Sequence, residues 1–170
     1  MEIGKVEQKL VGGLLEKPDN VDLIISRLNP DMVQDPQARY ILGVIYKLYL
    51  SGRAIDSVTA YNQLALDGYS KEVSAYDLDQ MIGYVSSDLV IEYSELIIGN
   101  YLKKELRLYA DELSTKSQGD SHDAYEMLDS LYLTGDKLYS GITKGESFSS
   151  FADQLKEASD ELSQPAESIN

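Results

Sequence analysis

The longest uninterrupted stretch of this chain runs from Asp88 to about Ser117, without proline and with Gly99 as its one glycine. Apolar residues recur within it at steps of four, three and four: Leu102, Leu106, Tyr109 and Leu113. This spacing places side chains on one face of an α-helix, which has about 3.6 residues per turn. We therefore predict one long helix, which constrains the fold more than any other feature.

A second helix is predicted directly after the first. Gly119, Asp120 and Ser121 form a turn that includes a helix-capping residue. The helix that follows has an apolar side made of Tyr125, Leu128, Leu131 or Tyr132, and Leu138. Two long helices joined by a short turn form an antiparallel helical hairpin. Because such a hairpin has more apolar edge than it can bury against itself, we predict that it packs on a second copy as a dimer.

The first half of the chain also follows helical spacing. Apolar residues repeat at three and four from Ile3 to Leu15, and Pro18 ends that run. Asp35 followed by Pro36 is a capping carboxylate with proline at the first helical position. The helix that begins there carries an apolar stripe: Ile41, Val44, Ile45, Leu48 and Tyr49.

A joint between two helices lies at residues 51–64. Gly52 supplies the permissive backbone that ends a helix, and Asp56 or Ser57 can cap a new first turn. The helix after this joint is expected to end at Gly68. One more short helix is predicted to end near Ser86, carrying Tyr76, Leu78, Met81, Ile82 and Val85. No strand alternation competes with these patterns, so the predicted fold class is all-α.

The last part of the chain differs from the rest in amino-acid composition. Beyond Gly141 small residues become frequent, and a further amphipathic helix is predicted at about 150–163. Apolar residues repeat at steps of three or four through this stretch, at Phe148, Phe151, Leu155, Ala158 and Leu162. A helix of about a dozen residues is marginal in water on its own, so we expect it to dock on another surface. Residues 163–170 are expected to be disordered.

Composition limits the class of protein. The chain of 170 residues is 43% hydrophobic, which is typical of a globular protein, and it has no cysteine. Disulfides and thiolate metal sites are therefore excluded. The sequence contains neither an apolar run long enough to cross a membrane nor the pattern of a secretory signal. A cytoplasmic location is expected.

The net charge of −14 argues against direct binding of nucleic acid by this chain. Lys and Arg together number 15, against 29 Asp and Glu. Affinity for DNA rests on basic side chains that replace counterions at phosphates. We expect no direct binding of nucleic acid by this chain, and a basic partner surface is a more plausible neighbour.

No catalytic, cofactor or metal site is readable. His122 is the one histidine and lies at the predicted hairpin turn, where a solvated turn residue is the simpler interpretation. The glycines at positions 12, 13 and 52 lack the Gly-Lys-Ser/Thr ending of a phosphate loop. No nucleophile–base pair stands out either. The chain itself is not expected to be an enzyme.

Four motifs in order resemble the N-terminal domain of DnaB-type bacterial replicative DNA helicases. They are the short first helix at 7–15, the apolar helix at 38–48, the joint with Gly52, Ile55-Asp56, Val58-Thr59 and Leu64, and the long helix through 93–98 and 104–107. Together they run from about residue 3 to about residue 140. Each motif is weak alone, and their order gives the resemblance its specificity.

The resemblance implies a domain plan. Residues 1–143 would form a DnaB-like N-terminal domain, with a globular helical part at 1–87 and the hairpin at 88–141. Residues 144–170 would be a linker region, with its helix docking through Phe148, Phe151, Leu155 and Leu162. The RecA-like motor domain of the family would begin where this chain stops, so ATP and Mg are expected only there.

The resemblance also implies partners. In the family, N-terminal domains pair as dimers, three dimers form a collar on a hexamer, the collar recruits primase, and the linker helix packs on a neighbouring motor domain. The residues that would make the packing contacts of the hairpin, within the chain or across the dimer, are Leu102, Leu106, Tyr109, Leu113, Tyr125, Leu128 and Tyr132. Two alternatives stay open: the helicase-binding domain of a primase, and an unrelated acidic helical adaptor.

Overall fold

The computed structural model describes residues 2–83, 87–119 and 123–143. Seven α-helices occur in those residues: α1 (Ile3–Glu16), α2 (Val21–Ile25), α3 (Pro36–Leu50), α4 (Ser57–Leu66), α5 (Ala75–Ile82), α6 (Val90–Ser117) and α7 (Ala124–Thr143). Short 3₁₀ turns lie at Pro18–Asn20, Pro30–Met32 and Ser87–Leu89. No strand is present in this part of the chain, so the all-α prediction is confirmed.

Helix α1 lies at the centre of the globular part. It packs against α3, α5 and the start of α6, and its residues Leu10, Val11 and Leu14 are fully buried. At Gly12 the backbone of α5 comes so close that a Cβ would lie 2.2 Å from the carbonyl oxygen of Met81. Glycine is therefore required where α1 and α5 cross.

The predicted helix boundaries of α3 and α4 are confirmed in atomic detail. The Asp35 carboxylate accepts the Ala38 N–H at 2.8 Å, with Pro36 in the first helical position. Gly52, just after α3, adopts a positive φ of 63°, a conformation that costs glycine little. Gly68 follows α4 with a φ of 87°.

Helix α6 begins inside the globular core. Val90, Tyr93, Ile97 and Ile98 are buried, and they pack in the same cluster as the apolar face of α1. Beyond these first turns no described residue of α6 is buried. The long helix therefore joins the globular part at its start and leaves it as one arm of the hairpin.

Several predicted features lie outside the described residues. They are the hairpin turn with Asp120, Ser121 and His122, and the whole linker region with Phe148, Phe151, Leu155 and Leu162. Among the helices that are described, none combines the length and the apolar character needed to cross a bilayer.

Candidate assembly surface

The globular part has a buried carboxylate, but its contacts are structural. Glu7 is completely buried, and its Oε1 and Oε2 accept the backbone N–H groups of Gln34 at 2.9 Å and Asp35 at 2.7 Å. Across the ranges that the structure describes, no group of three or more His, Asp or Glu is placed to hold a metal ion. Through these two hydrogen bonds Glu7 connects α1 to the segment before α3.

The joint before α4 is a capping box. The Asp56 carboxylate accepts the Thr59 N–H at 2.8 Å, and the Thr59 hydroxyl accepts the Asp56 N–H at 3.1 Å. This backbone hydrogen bond from Thr59 holds the pKa of the Asp56 carboxyl below its usual value. Of the two predicted caps, Asp56 fills the position and Ser57 is the first helical residue.

A polar network braces the same joint against α3. The Arg53 guanidinium donates to the Gln63 side-chain oxygen at 2.7 Å, and the Gln63 amide donates to Asp67 at 2.9 Å. Lys47 on α3 also donates to Asp67, at 2.6 Å. These bonds connect α3, the joint and α4.

The two arms of the hairpin meet through a small set of side chains. The Tyr109 hydroxyl donates to the Ser130 hydroxyl oxygen at 3.1 Å, which sets the register between α6 and α7. Beside this bond lies a cavity of about 200 Å³, lined by Leu113 and Met127 among others. Tyr109 and Leu113 are half-buried here, so two of the predicted hairpin residues face the inside of the hairpin.

The tip of the hairpin carries a charge pair. Lys116 donates a hydrogen bond to Glu112 at 2.5 Å, four residues earlier on α6. This bond and the charge of Glu112 raise the pKa of Lys116 above its ordinary value. A second, more open cavity of about 450 Å³ lies next to it, with mostly apolar walls that include Leu128 and Leu131.

One face of α7 is an exposed apolar stripe. Tyr125, Leu128 and Tyr132, at steps of three and four, are 78%, 61% and 74% exposed. On the other arm Leu106 is 54% exposed. Side chains at these steps line one face of a helix, as they do in helix pairs that pack along their length. We call Tyr125, Leu128 and Tyr132 the α7 stripe.

The predicted hairpin set thus divides into three groups. Leu102 packs partly against the globular core, Tyr109 and Leu113 lie between the arms, and Leu106 and the α7 stripe are exposed. Contact of the exposed group with a second chain stays a prediction at this point.

Sequence reasoning missed part of the exposed face. Leu133 and Tyr139 on α7 are also largely exposed. Tyr139 lies seven residues after Tyr132, which continues the helical repeat of the stripe past Gly135. The signal was therefore present in the sequence, but the prediction selected Leu138, which is half-buried.

Known proteins are similar to this chain in sequence and in fold. Residues 2–99 match the family described as the DnaB-like helicase N terminal domain. A curated relative, the replicative DNA helicase DnaB of Rhodothermus marinus, is 23% identical over 128 residues, which are 75% of this chain and 14% of that protein. The crystal structure of the N-terminal domain of DnaB helicase from Mycobacterium tuberculosis matches with a TM-score of 0.68 and 22% identity, over 76% of this chain and 94% of that one.

The family match and the shared fold are consistent with each other. The solved structure shares the all-helical fold, and the family match extends from α1 into the buried start of α6. The chain spans 14% of the length of the curated helicase, so it corresponds to one part of such a protein. The family match covers more than half of the chain, and the chain therefore belongs to the family of DnaB-like helicase N-terminal domains.

Proposed function

We propose that this chain is the assembly domain of a replicative DNA helicase. In this proposal the hairpin joins subunits as dimers, three dimers form a hexamer, and the resulting collar docks a primase. ATP-driven unwinding of DNA belongs to a motor domain outside these 170 residues. Membership of the DnaB-like family supports the assignment of this domain to a replicative helicase. The observation that carries the proposal is the exposed α7 stripe.

The stripe is unusual for a surface that faces only water. Isolated exposed apolar residues are normal on proteins, whereas contiguous apolar patches commonly mark interaction sites. Here three large apolar side chains follow one another along a single helix face, with Leu106 exposed on the neighbouring arm. Packing this face against a second hairpin would remove it from water, which stabilises association.

Charge also restricts how the chains can meet. Two chains that each carry a net charge of −14 repel each other. Their interface therefore has to centre on uncharged side chains, with acidic residues left at the rim where water and salt screen them. The α7 stripe meets this requirement, because Tyr125, Leu128 and Tyr132 are uncharged.

Paired variants test the hairpin assignment. Leu128→Glu with Tyr132→Glu places two charges in the α7 stripe. Val58→Glu with Leu66→Glu is the matched control, because these α4 residues are 68% and 77% exposed. In light scattering at micromolar concentration we expect the stripe variant to be monomeric and the control to stay dimeric. A stripe variant that remains dimeric, or a control that dissociates equally, would contradict the proposed surface.

Primase docking needs its own test. Isothermal titration of the full chain with the helicase-binding domain of the primase from the same organism should give saturable binding. The stripe variant separates the two parts of the proposal, because it reports whether docking requires the dimer. Absence of binding to the dimeric chain would remove primase docking from the proposed function and leave assembly standing.

The alternatives receive no support from these observations. An unrelated acidic adaptor is incompatible with membership of the DnaB-like family. The family model that matches is that of helicase N-terminal domains, and a curated relative of this chain is a replicative helicase, which favours the helicase over a primase. We therefore assign the chain to the helicase side of the complex.

A further inference from the structure

The exposed side of α6 carries cations beside its apolar residue. Leu106, which is 54% exposed, lies three residues after Lys103 and directly before Arg107. Residues three and four apart are neighbours on a helix surface, so Lys103 borders both Leu106 and Arg107 on one side of α6. Lys103 and Arg107 are both exposed. We call these two residues the basic pair.

The α7 stripe is bordered by the opposite charge. Asp129 lies three residues before Tyr132, and Asp136 lies four residues after it, so both carboxylates are neighbours of this tyrosine on the helix surface. Tyr132 is 74% exposed, and the two aspartates are exposed as well. We call Asp129 and Asp136 the acidic pair. Each arm of the hairpin therefore presents an apolar side chain beside charges of a single sign.

The two charged pairs lie along the same length of the hairpin. The hydrogen bond between Tyr109 and Ser130 sets the register between the arms. The basic pair begins six residues before Tyr109, and the acidic pair ends six residues after Ser130. Because the arms run in opposite directions and a helix rises about 1.5 Å per residue, both pairs lie within about 9 Å of that bond along the hairpin.

Neither pair is neutralised by an ion pair within the chain. In the residues that the structure describes, the ion pairs join other side chains, such as Lys116 with Glu112 on α6. None of them includes a member of the basic pair or of the acidic pair. Two neighbouring cations without a carboxylate partner form a surface to which an acidic group of another molecule can bind.

A second copy that covers the α7 stripe has to neutralise the acidic pair. The α6 face of that copy can do so, because Leu106 can cover Tyr132 while the basic pair binds the acidic pair. Contact of α7 with α7 would place carboxylates against carboxylates, and contact of α6 with α6 would place cations against cations. Like charges that face each other across an interface disfavour it. In a symmetric dimer each copy offers both faces, so the favourable contact forms twice.

We propose that the basic pair of each chain binds the acidic pair of a second copy, so that α6 of one chain lies against α7 of the other. This inference rests on the proposed function, because it requires that the hairpins dimerise. It adds the side chains that select the partner surface. The same four charges disfavour every alignment that brings like charges together, and they therefore give the interface its specificity.

Charge reversal tests the pairing. Lys103→Glu with Arg107→Glu reverses the basic pair, and Asp129→Lys with Asp136→Lys reverses the acidic pair. Each double variant sets like charges against each other in both contacts, so at physiological salt the dissociation constant of the dimer should rise about tenfold or more in sedimentation equilibrium. Reversal of all four residues should restore the dimer, because opposite charges meet again. An equimolar mixture of the two double variants should form heterodimers, which native mass spectrometry distinguishes by mass.

Two controls change the net charge by the same amounts through exposed residues of the globular part. Lys5→Glu with Lys71→Glu matches the reversal of the basic pair, and Glu16→Lys with Asp22→Lys matches the reversal of the acidic pair. Both controls should keep the dissociation constant close to that of the unsubstituted chain. At about 1 M salt, where the screening length is about 3 Å, the effect of each hairpin double variant should shrink.

The possible failures can be told apart. Double variants that dimerise as tightly as the unsubstituted chain would overturn the pairing and leave the dimer standing. A chain with all four charges reversed that stays monomeric, or a mixture that forms no heterodimer, would show that the two pairs do not meet. Controls that weaken the dimer equally would reduce the effect to net charge and also overturn the pairing. A monomeric unsubstituted chain would remove the proposed dimer together with this inference.

Discussion

The Glu7 carboxylate is fully buried, and both of its oxygens accept backbone N–H groups. The donors, Gln34 and Asp35, lie 27 and 28 residues further along the chain. The bonds therefore connect α1 to the segment that leads into α3. Hydrogen bonds to a charged group are stronger than those between neutral groups, so this contact should matter for stability.

Glu7→Gln tests that contact. An amide has one acceptor oxygen, so one of the two N–H groups would face an NH₂ group and lose its partner. We expect the free energy of unfolding to fall by about 2 kcal/mol, the typical loss for a hydrogen bond to a charged group. Urea unfolding measures it, with Glu16→Gln as the exposed control. Equal stability of the two variants would contradict a structural role for Glu7.

Gly12 makes a second prediction at this scale. Gly12→Ala would bring a Cβ to 2.2 Å from the Met81 carbonyl oxygen, and a backbone atom cannot rotate away. We expect α1 and α5 to separate at a cost of about 2 kcal/mol, as in an overpacked core. Thermal unfolding should show a lower midpoint for Gly12→Ala. Gly43→Ala, which meets open space, should not lower it.

The cap at Asp56 predicts a pH dependence. The Thr59 N–H holds the pKa of Asp56 below its ordinary value of 3.8 in the folded chain. The folded state then binds a proton less readily than the unfolded state, so the carboxylate stabilises the fold above the unfolded pKa. This stabilisation is lost as the pH falls through the folded pKa.

Two substitutions at Asp56 separate charge from capping. At pH 7, Asp56→Ala should cost about 1 kcal/mol of unfolding free energy. The difference in unfolding free energy between the unsubstituted chain and Asp56→Ala should shrink as the pH falls below 3.8. Asp56→Asn keeps a capping oxygen that does not titrate. The difference in unfolding free energy between Asp56→Asn and Asp56→Ala should therefore be the same at every pH. Denaturant titrations at a series of pH values measure both differences. A difference between the unsubstituted chain and Asp56→Ala that does not change with pH would contradict this account.

At the scale of elements, α2 is too short to be stable alone. It spans only Val21–Ile25, and isolated helices of that length do not form in water. The segment directly after α2 is bonded to α3, where the hydroxyl of the buried Tyr46 donates to the carbonyl of Leu28 at 2.5 Å. Burial also raises the pKa of Tyr46, so the hydroxyl stays protonated and able to donate.

Tyr46→Phe should loosen α2 selectively. The Leu28 carbonyl would lose its buried donor, with a cost of about 1 kcal/mol. Hydrogen exchange should become faster for the backbone amides of residues 21–28, and change little in α1. Tyr49→Phe on the same helix is the control, because the Tyr49 side chain is exposed. Equal protection of residues 21–28 in both variants would show that the Tyr46 hydroxyl does not hold α2.

The sequence predicted these elements well where signals are local. Asp35 with Pro36, Asp56 and Gly52 each act within a few residues, so the ends of α3 and the start of α4 could be read directly. Glu7 could not be read, because its partners are distant in sequence and depend on how α1 packs. The division of the hairpin residues also depends on the rotation of each helix, which the spacing alone leaves open.

At the scale of the whole molecule, one part of the chain is buried and another is not. The globular part has a continuous core that includes α1, α3 and the start of α6. The hairpin exposes Leu106 and the α7 stripe instead. A protein that folds to remove apolar surface from water leaves such a face exposed at a cost, which a partner chain would offset. Self-association is the property that we propose on this basis.

The mass of the chain in solution tests this property most directly. Sedimentation equilibrium of the full chain should be measured across micromolar concentrations, at physiological salt so that the repulsion between acidic chains is screened. The account predicts a mass of at least twice the 18.9 kDa of one chain, falling towards one chain on dilution. A mass that stays at 18.9 kDa at every concentration would contradict it.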